Sequence, residues 1–273
     1  MGIAHAVRGS QLGGAPGAYI VVNAADHARA LRAIELYETE NRNWPPRRER
    51  ERLPYARTLA APLVMSLLVA FFAVTGPAAA GSGWFSHGTA SSDRILHGEL
   101  WRAVTALTLH ADTLHVVGNA LSGSIFLSAV NRRLGDGRGP LLVLIAGTAG
   151  NLLNALWYQT GHLSIGASTA VFSAVGILAA TQLSLDRGQT QRGWLERAAP
   201  VVGGLALLGT LGASPHSDLL AHLFGLLAGL FVGLLATWTL TKRPRSPAWV
   251  QLVCAACAGL IVWGSWALAL RPT

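Results

Sequence analysis

The sequence predicts an all-α polytopic membrane protein that carries a small βα unit at its N-terminus. Apolar residues make up 51% of the chain and charged residues only 12%, whereas soluble domains carry about 25% charged residues. Long apolar runs recur through residues 58–270, and each is near the roughly 20 residues that an α-helix needs to cross a bilayer. A soluble core could not bury so much apolar surface.

Residues 1–57 are predicted to form a cytosolic segment. Residues 1–17 are rich in glycine and alanine, and we expect them to be mobile. The run Ala18–Val22 predicts a strand, and Asn23–Asn41 predicts a helix on which three apolar side chains are partly buried: Leu31, Ile34 and Leu36. Residues 42–57 contain three prolines and six arginines, a composition that favours a basic linker at the membrane surface.

Seven segments are predicted to span the membrane: 58–76, 115–131, 139–158, 167–184, 198–212, 218–240 and 249–270. The first six would form one unit over residues 58–240, followed by a loop and a seventh helix over 241–273. Between the first two spans lies a longer segment, 77–114, which contains Trp84, Phe85 and Trp101. Aromatic residues of this kind favour a loop at the membrane interface.

The distribution of basic residues predicts the orientation of the chain. Residues 1–57 contain nine, the segment 77–114 contains two, and the later connections contain three, none, three, none and three, with one in the tail. This alternation places the N-terminus inside and the C-terminus outside. Arginine outnumbers lysine twenty to one, which indicates a GC-rich genome and favours a bacterial cytoplasmic membrane.

Composition also argues against other classes of protein. The formal net charge is +8, but the basic residues are spread over short loops, so we expect no nucleic-acid partner. Cys254 and Cys257 lie inside the last apolar run and are interpreted as small apolar residues. The histidines in loops lack metal-ligand spacing, and no zinc, phosphate-loop or dinucleotide motif is present. We therefore expect no metal and no cofactor.

Four polar residues in the predicted spans are candidates for function, because such side chains are costly in a bilayer. The second, fourth and sixth spans run from outside to inside. His115 and Asn119 lie in the first turns of the second, Ser168 begins the fourth, and His222 lies about one turn into the sixth. At a rise of about 1.5 Å per residue, all four fall at a similar depth.

Glycine spacing suggests which helices meet. Gly225, Gly229 and Gly233 recur every four residues on the sixth span, a stripe that lets another helix backbone approach closely. His222 precedes Gly225 by three residues and lies on the same face. The fourth span, which begins at Ser168, is a good candidate for the neighbour.

Four motifs occur in order: Glu99-Leu-Trp-Arg102, His110 with His115-x-x-x-Asn119, Gly166-x-Ser168, and Ala221-His222-x-x-Gly225-x-x-x-Gly229. Together they resemble the rhomboid intramembrane serine proteases in both order and spacing. The resemblance covers residues 58–240 and implies a six-helix bundle. The seventh helix resembles the extra C-terminal span of larger rhomboids, and the N-terminal unit resembles their variable cytosolic domains.

The resemblance also implies residue roles. Ser168 would be the nucleophile and His222 its base, with the oxyanion held by the Ser168 N–H, His115 and Asn119. Supporting positions would be Trp101, Arg102, His110, Gly166, Phe172 and Gly225. The substrates would be transmembrane proteins, cut near the outer face of the lipid bilayer.

Two residues depart from the family pattern. Thr169 stands where glycine is usual, and Phe172 where tyrosine is frequent. We expect a helical Thr169 whose methyl group narrows the substrate pocket and so favours small residues there. Phe172 retains the ring that could pack on His222.

Three alternatives remain at this point. The chain could be a catalytically inactive rhomboid-like protein that binds client membrane proteins. Thr169 favours this alternative, because it replaces the glycine that is usual at this position in the family. After the protease and the inactive rhomboid-like protein, the third possible class is a haem protein that uses His115 and His222 as paired ligands. That class would leave Ser168 and Asn119 without a role. Asp218 could orient His222, or it could cap the sixth span, which we favour.

The orientation can be tested with a reporter enzyme that is active only outside the cytoplasm. Fused after Thr273, it should be active, because the alternation of basic loops over seven spans leaves that end outside. A fluorescent protein that matures only in the cytoplasm serves as the matched control fusion. A cytoplasmic signal would contradict both the number of spans and the common depth of the four polar residues.

Overall fold

The computed structural model describes residues 2–10, 17–42, 58–185, 203, 218–240 and 246–271. It separates into two compact units, Met1–Arg52 and Leu53–Thr273. Apart from residue 203, the predicted fifth span, 198–212, lies outside the described residues, as does the basic linker after residue 42.

The first unit contains an antiparallel hairpin and a helix. Strand β1 (His5–Ser10) pairs with β2 (Gly17–Val22), and helix α1 covers His27–Glu40. The prediction of mobility over residues 1–17 was therefore wrong for β1, whose short, weakly alternating sequence gives little signal. The expected partial burial on α1 was also wrong, since three side chains are exposed: Leu31, Ile34 and Leu36. A two-stranded hairpin offers little surface to cover a helix.

The second unit confirms the helical polytopic membrane fold. In the described part of the chain, five helical segments have the length and composition to cross a membrane: α2 (Ala60–Thr75) with its continuation to Ala80, α6 (Thr113–Leu134), α7 (Arg138–Tyr158), α9 (Leu219–Leu240) and α10 (Ala248–Ala269). Helix α8 (Ser168–Leu185) has a shorter apolar stretch, Ser168–Gln182. These six helices correspond to six of the seven predicted spans.

An ordered loop joins α2 to α6. It contains the short helices α3 (Gly83–Gly88), α4 (Ser92–Leu96) and α5 (Arg102–Thr105), followed by a 3-10 turn, Ala106–Thr108. Strand β3 (Ala90–Ser91) pairs antiparallel with β4 (Leu163–Ser164), the strand that precedes α8. This pairing connects the loop directly to the start of α8.

Arg102 holds the loop together from inside. Its guanidinium is buried and donates to the Glu99 carboxylate at 2.6 Å and to the carbonyls of Thr89 and Ser86, each at 3.0 Å. Hydrogen bonds to a charged group are stronger than neutral ones, and these three satisfy an otherwise costly buried cation. The loop is therefore folded around a single side chain.

Helices α8 and α9 pack with almost no space between their backbones. A Cβ added at Gly229 would overlap the carbonyl oxygen of Ser173, and one added at Gly176 would overlap that of Leu226. Gly176 of α8 therefore lies against the backbone of α9, and Gly229 of α9 lies against the backbone of α8. Association of helices in a bilayer depends on such close van der Waals packing, because lipid gives no hydrophobic drive.

Helix α10 is anchored near its N-terminal end by Gln251. The Gln251 side chain accepts from the backbone N–H groups of Gly137 and Arg138 at 2.8 and 3.0 Å, and donates to the Leu134 carbonyl at 2.9 Å. It therefore satisfies backbone groups at the end of α6 and the start of α7, where helices leave such groups unpaired.

The glycine contacts generate a stability prediction. Gly229→Ala should lower the free energy of unfolding by about 1–3 kcal/mol, because its methyl group must push α8 and α9 apart. Gly259→Ala on α10 is the matched control, since no atom lies within 4 Å of a Cβ placed there. Thermal unfolding in detergent should show the loss for Gly229→Ala alone. Equal stability of the two variants would contradict the packing described here.

Candidate active site

Ser168 and His222 are in direct contact. Ser168 begins α8, His222 lies in the first turn of α9, and the His222 Nε2 is 2.7 Å from the Ser168 Oγ. The histidine side chain is buried. Its Nδ1 has no hydrogen-bond partner in the described part of the chain, so Nε2 makes the contact that fixes the ring.

The turn before Ser168 is held by the loop between α2 and α6. The Gly166 N–H donates to the Ala106 carbonyl at 2.9 Å, and the Ala167 N–H donates to the His110 Nε2 at 3.4 Å. Gly166 has φ of +123°, a conformation that favours glycine. A Cβ there would also lie only 2.7 Å from the His115 ring. Glycine therefore leaves the space that His115 occupies beside Ser168.

His110 accepts its hydrogen bond as a neutral imidazole. It precedes α6 and is fully buried, and this burial, together with the neighbouring His115, lowers the pKa of His110 to about 3. The ring therefore carries no charge near neutral pH, and Nε2 can act as an acceptor only if the proton is on Nδ1. His110 packs edge to face on His115, with ring centroids 5.1 Å apart.

Helix α6 brings two more polar groups to the same region. His115 follows the N-cap residue Asp112 and accepts a hydrogen bond at Nδ1 from the Ala111 N–H at 3.4 Å. This bond assigns the ring proton to Nε2, the nitrogen that faces Gly166. Asn119 is buried, and its Nδ2 has no hydrogen-bond partner among the described residues. Both side chains therefore have a donor available.

Thr169 does not face a substrate pocket. The Thr169 side chain is buried. A Cβ placed on Gly150 would lie 2.8 Å from its methyl carbon, and a Cβ placed on Gly225 would lie 3.0 Å from it. The expectation that this methyl narrows the pocket was therefore wrong, because the side chain points between α7 and α9. Its backbone is helical, as expected, and glycines on both neighbours accommodate it.

Phe172 completes the surroundings of His222. The Phe172 ring is fully buried and stacks on the imidazole with centroids 4.6 Å apart. This contact needs the ring alone, so the absence of a hydroxyl does not change it. The arrangement also disfavours a haem ligand at His222, since Phe172 covers the ring face and Ser168 occupies Nε2.

Asp218 caps α9 and joins two other elements. Its carboxylate accepts from the Ala221 N–H at 3.0 Å and from the Asn154 side chain at 2.7 Å, and lies 2.6 Å from the His162 Nε2. It makes no hydrogen bond to the His222 ring. Burial raises the pKa of Asp218, but the hydrogen bonds from His162 and Ala221 outweigh burial and hold that pKa below its ordinary 3.8.

Comparison with known proteins identifies the family. A family model described as Rhomboid domain matches residues 97–239, just over half of the chain. The chain belongs to the rhomboid family. It is similar to RHOMBOID-like protein 1 of Arabidopsis thaliana, with 32% identity over 50% of this chain and 34% of the relative.

Two protease-named rhomboids are similar at the same level. Rhomboid-like protease 1 of Toxoplasma gondii is 29% identical over 62% of this chain and 57% of its own length. Rhomboid protease GluP of Bacillus subtilis is 29% identical over 65% of this chain and 34% of its own length. The chain thus spans between a third and somewhat over half of these relatives.

Sequence reasoning on this rhomboid-family chain missed three residues of α7. Asn154 binds Asp218, the Asn151 side chain donates to the Ala103 carbonyl at 2.9 Å, and Gly150 accommodates Thr169. Two asparagines three residues apart in an apolar span were a usable signal, because buried amides in a bilayer need partners. Their partners could not be read from sequence.

The contacts of Asp218 predict a stability change that depends on pH. Asp218→Asn should lower the free energy of unfolding at pH 7 by about 1–3 kcal/mol, since one acceptor is lost among buried donors. The folded-state pKa lies below 3.8, so the stabilisation is complete above that pH and is lost as pH falls through the folded-state pKa. Unfolding measured from pH 7 to pH 3 should show the two proteins converging. A difference that persists in acid would contradict this account.

Proposed function

We propose that this rhomboid-family membrane protein is an intramembrane serine endopeptidase with Ser168 as nucleophile and His222 as general base. The observation that carries the proposal is the 2.7 Å contact between the Ser168 Oγ and the His222 Nε2. A hydroxyl and an imidazole at that distance form the arrangement required for base-assisted attack. Both residues come from helices far apart in sequence.

Proton transfer follows from this contact. The Ser168 hydroxyl donates to Nε2 of a neutral His222, which takes the proton as the oxygen attacks a substrate carbonyl carbon. The same nitrogen then gives the proton to the leaving amine as the peptide bond breaks and an acyl-enzyme forms. Water, deprotonated by His222, attacks the acyl group and regenerates Ser168. Phe172, stacked on the ring, would keep the imidazole in line.

Three donors could stabilise the oxyanion. The Ser168 N–H lies at the start of α8, where backbone N–H groups lack intrahelical partners. The Asn119 Nδ2 is buried and without a partner in the described chain, and the His115 Nε2 carries a proton. One such donor is worth on the order of 3 kcal/mol in other serine proteases. Gly166 would matter because it leaves room for His115.

The remaining positions are proposed to support this site. Arg102 folds the loop, Trp101 packs in its aromatic cluster, His110 binds the Ala167 N–H, and Gly225 allows α9 to approach Thr169. None of them is proposed to touch the reacting atoms.

The substrates are proposed to be transmembrane proteins cut near the outer face of a bacterial cytoplasmic membrane, with the N-terminus of the enzyme inside. The basic-residue alternation supports this orientation. A preference for small substrate residues now rests on the family resemblance, since Thr169 lies between helices. The inactive, client-binding alternative also loses its main argument, because Gly150 and Gly225 accommodate Thr169.

The dyad is tested by substitution. Ser168→Ala and His222→Ala should each abolish cleavage of a generic rhomboid substrate, and the double variant should be little worse, because the two residues act as a unit. Asn119→Ala should retain residual activity, since other donors remain. The fragments are identified by mass spectrometry, and membrane insertion and helix content should be unchanged.

Exposed residues of the same types provide the matched controls. Ser86→Ala and His97→Ala change side chains that bond only to backbone carbonyls near them in sequence, so both should keep wild-type activity. A fluorophosphonate probe should label Ser168 in the wild type and both controls. Cleavage by Ser168→Ala at the wild-type rate, or labelling at another residue, would refute the proposal.

A further inference from the structure

Helix α10 lies outside the segment that matches the rhomboid family model, which ends at residue 239. Most of its surface is not covered by the other residues that the structure describes, and its buried residues are Ser265, Trp266 and Ala269. Two other tryptophans of this helix, Trp249 and Trp263, are 66% and 70% exposed, whereas Trp266 is only 8% exposed. The contact that α10 makes near its C-terminal end is therefore concentrated on Trp266.

Trp266 is inserted into the loop between α2 and α6. Its ring packs edge to face on Trp84 and Phe71, with centroids 5.1 and 5.5 Å away. A Cβ on Gly88 would overlap the Trp266 ring, so this glycine provides its space. Aromatic pairs in this geometry add to the stabilisation from burial.

The indole N–H of Trp266 makes a hydrogen bond to the loop. Trp266 Nε1 donates to the Thr108 Oγ1 at 3.1 Å, and that hydroxyl donates in turn to the Thr105 carbonyl at 2.7 Å. A buried indole N–H needs a hydrogen-bond partner, and here that partner belongs to the loop. The bond fixes the 3-10 turn Ala106–Thr108 from its outer side.

The same turn holds the residues before the nucleophile. Ala106, at one end, accepts from the Gly166 N–H at 2.9 Å. His110, two residues after Thr108, accepts from the Ala167 N–H at 3.4 Å. Thr108 thus lies between the two points where the loop holds the residues that precede Ser168.

We propose that Trp266 is a positioning residue for Ser168, acting through Thr108 on the turn that holds Gly166 and Ala167. The inference rests on the proposed function, because it assigns α10 a part in the catalytic geometry of that site. Gln251 contributes at the N-terminal end, where its three hydrogen bonds hold α10 against α6 and α7. The two anchors are about 22 Å apart along the helix and fix it at both ends.

Removal of the indole N–H alone tests the proposal in the full-length protein. Trp266→Phe keeps an aromatic ring but cannot donate to Thr108. It should lower kcat about fivefold with KM unchanged, the size expected for one lost hydrogen bond. Hydrogen exchange of the backbone over residues 163–170 should become faster. Trp263→Phe is the matched control on the same helix, and it should match the wild type in both measurements.

Thr108 provides a second route to the same contact. Thr108→Val removes the acceptor, whereas Thr108→Ser keeps it and should restore wild-type kcat and exchange. Adding Trp266→Phe to Thr108→Val should cause no further loss, since Thr108→Val already removes the bond from Trp266 together with the Thr108 bond to the Thr105 carbonyl. These variants keep the proposal falsifiable if Trp266→Phe fails to fold.

The outcomes separate this inference from the proposed function. If the wild type shows no Ser168-dependent cleavage or labelling, the proposed function is wrong, and exchange over residues 163–170 still decides whether Trp266 holds that segment. If the wild type is active but Trp266→Phe behaves like Trp263→Phe, the inference is overturned. Reduced kcat with unchanged exchange would also overturn it, because Trp266 would then act by another route.

Discussion

Helices α8 and α9 can hold Ser168 and His222 in contact because glycines let the backbone of each helix pass close to the other. The contact nearest Ser168 and His222, between Gly225 and Thr169, is followed by others further along the two helices, where Gly229 faces Ser173 and Gly176 faces Leu226. A hydrogen bond of 2.7 Å between two short side chains tolerates little separation of their helices. The chemistry of the site therefore depends on backbone packing far from the reacting atoms.

The loop between α2 and α6 has irregular backbone, whose polar groups need hydrogen-bond partners at a membrane. Backbone groups that lie near lipid must find partners within the protein. Here the Arg102 guanidinium supplies donors for two carbonyls, and the pairing of β3 with β4 supplies a short ladder. The loop is consequently a rigid support, and it contacts the start of α8 directly.

The sequence was sufficient for features that depend on local pattern. The predicted spans 139–158 and 218–240 agree with α7 and α9 within a residue or so, because a run of about 20 apolar residues is a strong signal. Order and spacing of polar residues also placed Ser168 and His222 at one depth. The strand β1 gave no comparable pattern and was missed.

Features that depend on a distant partner could not be predicted. The Thr169 side chain points toward α7 because Gly150 leaves room for its methyl group there. The sequence does not show that α7 packs against this part of α8. Nothing in the sequence distinguishes Trp266 from Trp249 or Trp263 on the same helix, because its partner Thr108 lies 158 residues away. In each case the residue type was visible, and the missing information was which element lies opposite.

The attachment of α10 to the loop has a consequence for biosynthesis. All three helices that carry the proposed dyad and the proposed oxyanion donors are made before α10, since chains grow from the N-terminus at roughly 5–20 residues per second. Until Trp266 leaves the ribosome and reaches Thr108, the turn before Ser168 lacks its outer support. In a nascent chain, the helices that bear Ser168 and His222 would therefore be complete before the Trp266–Thr108 hydrogen bond can form.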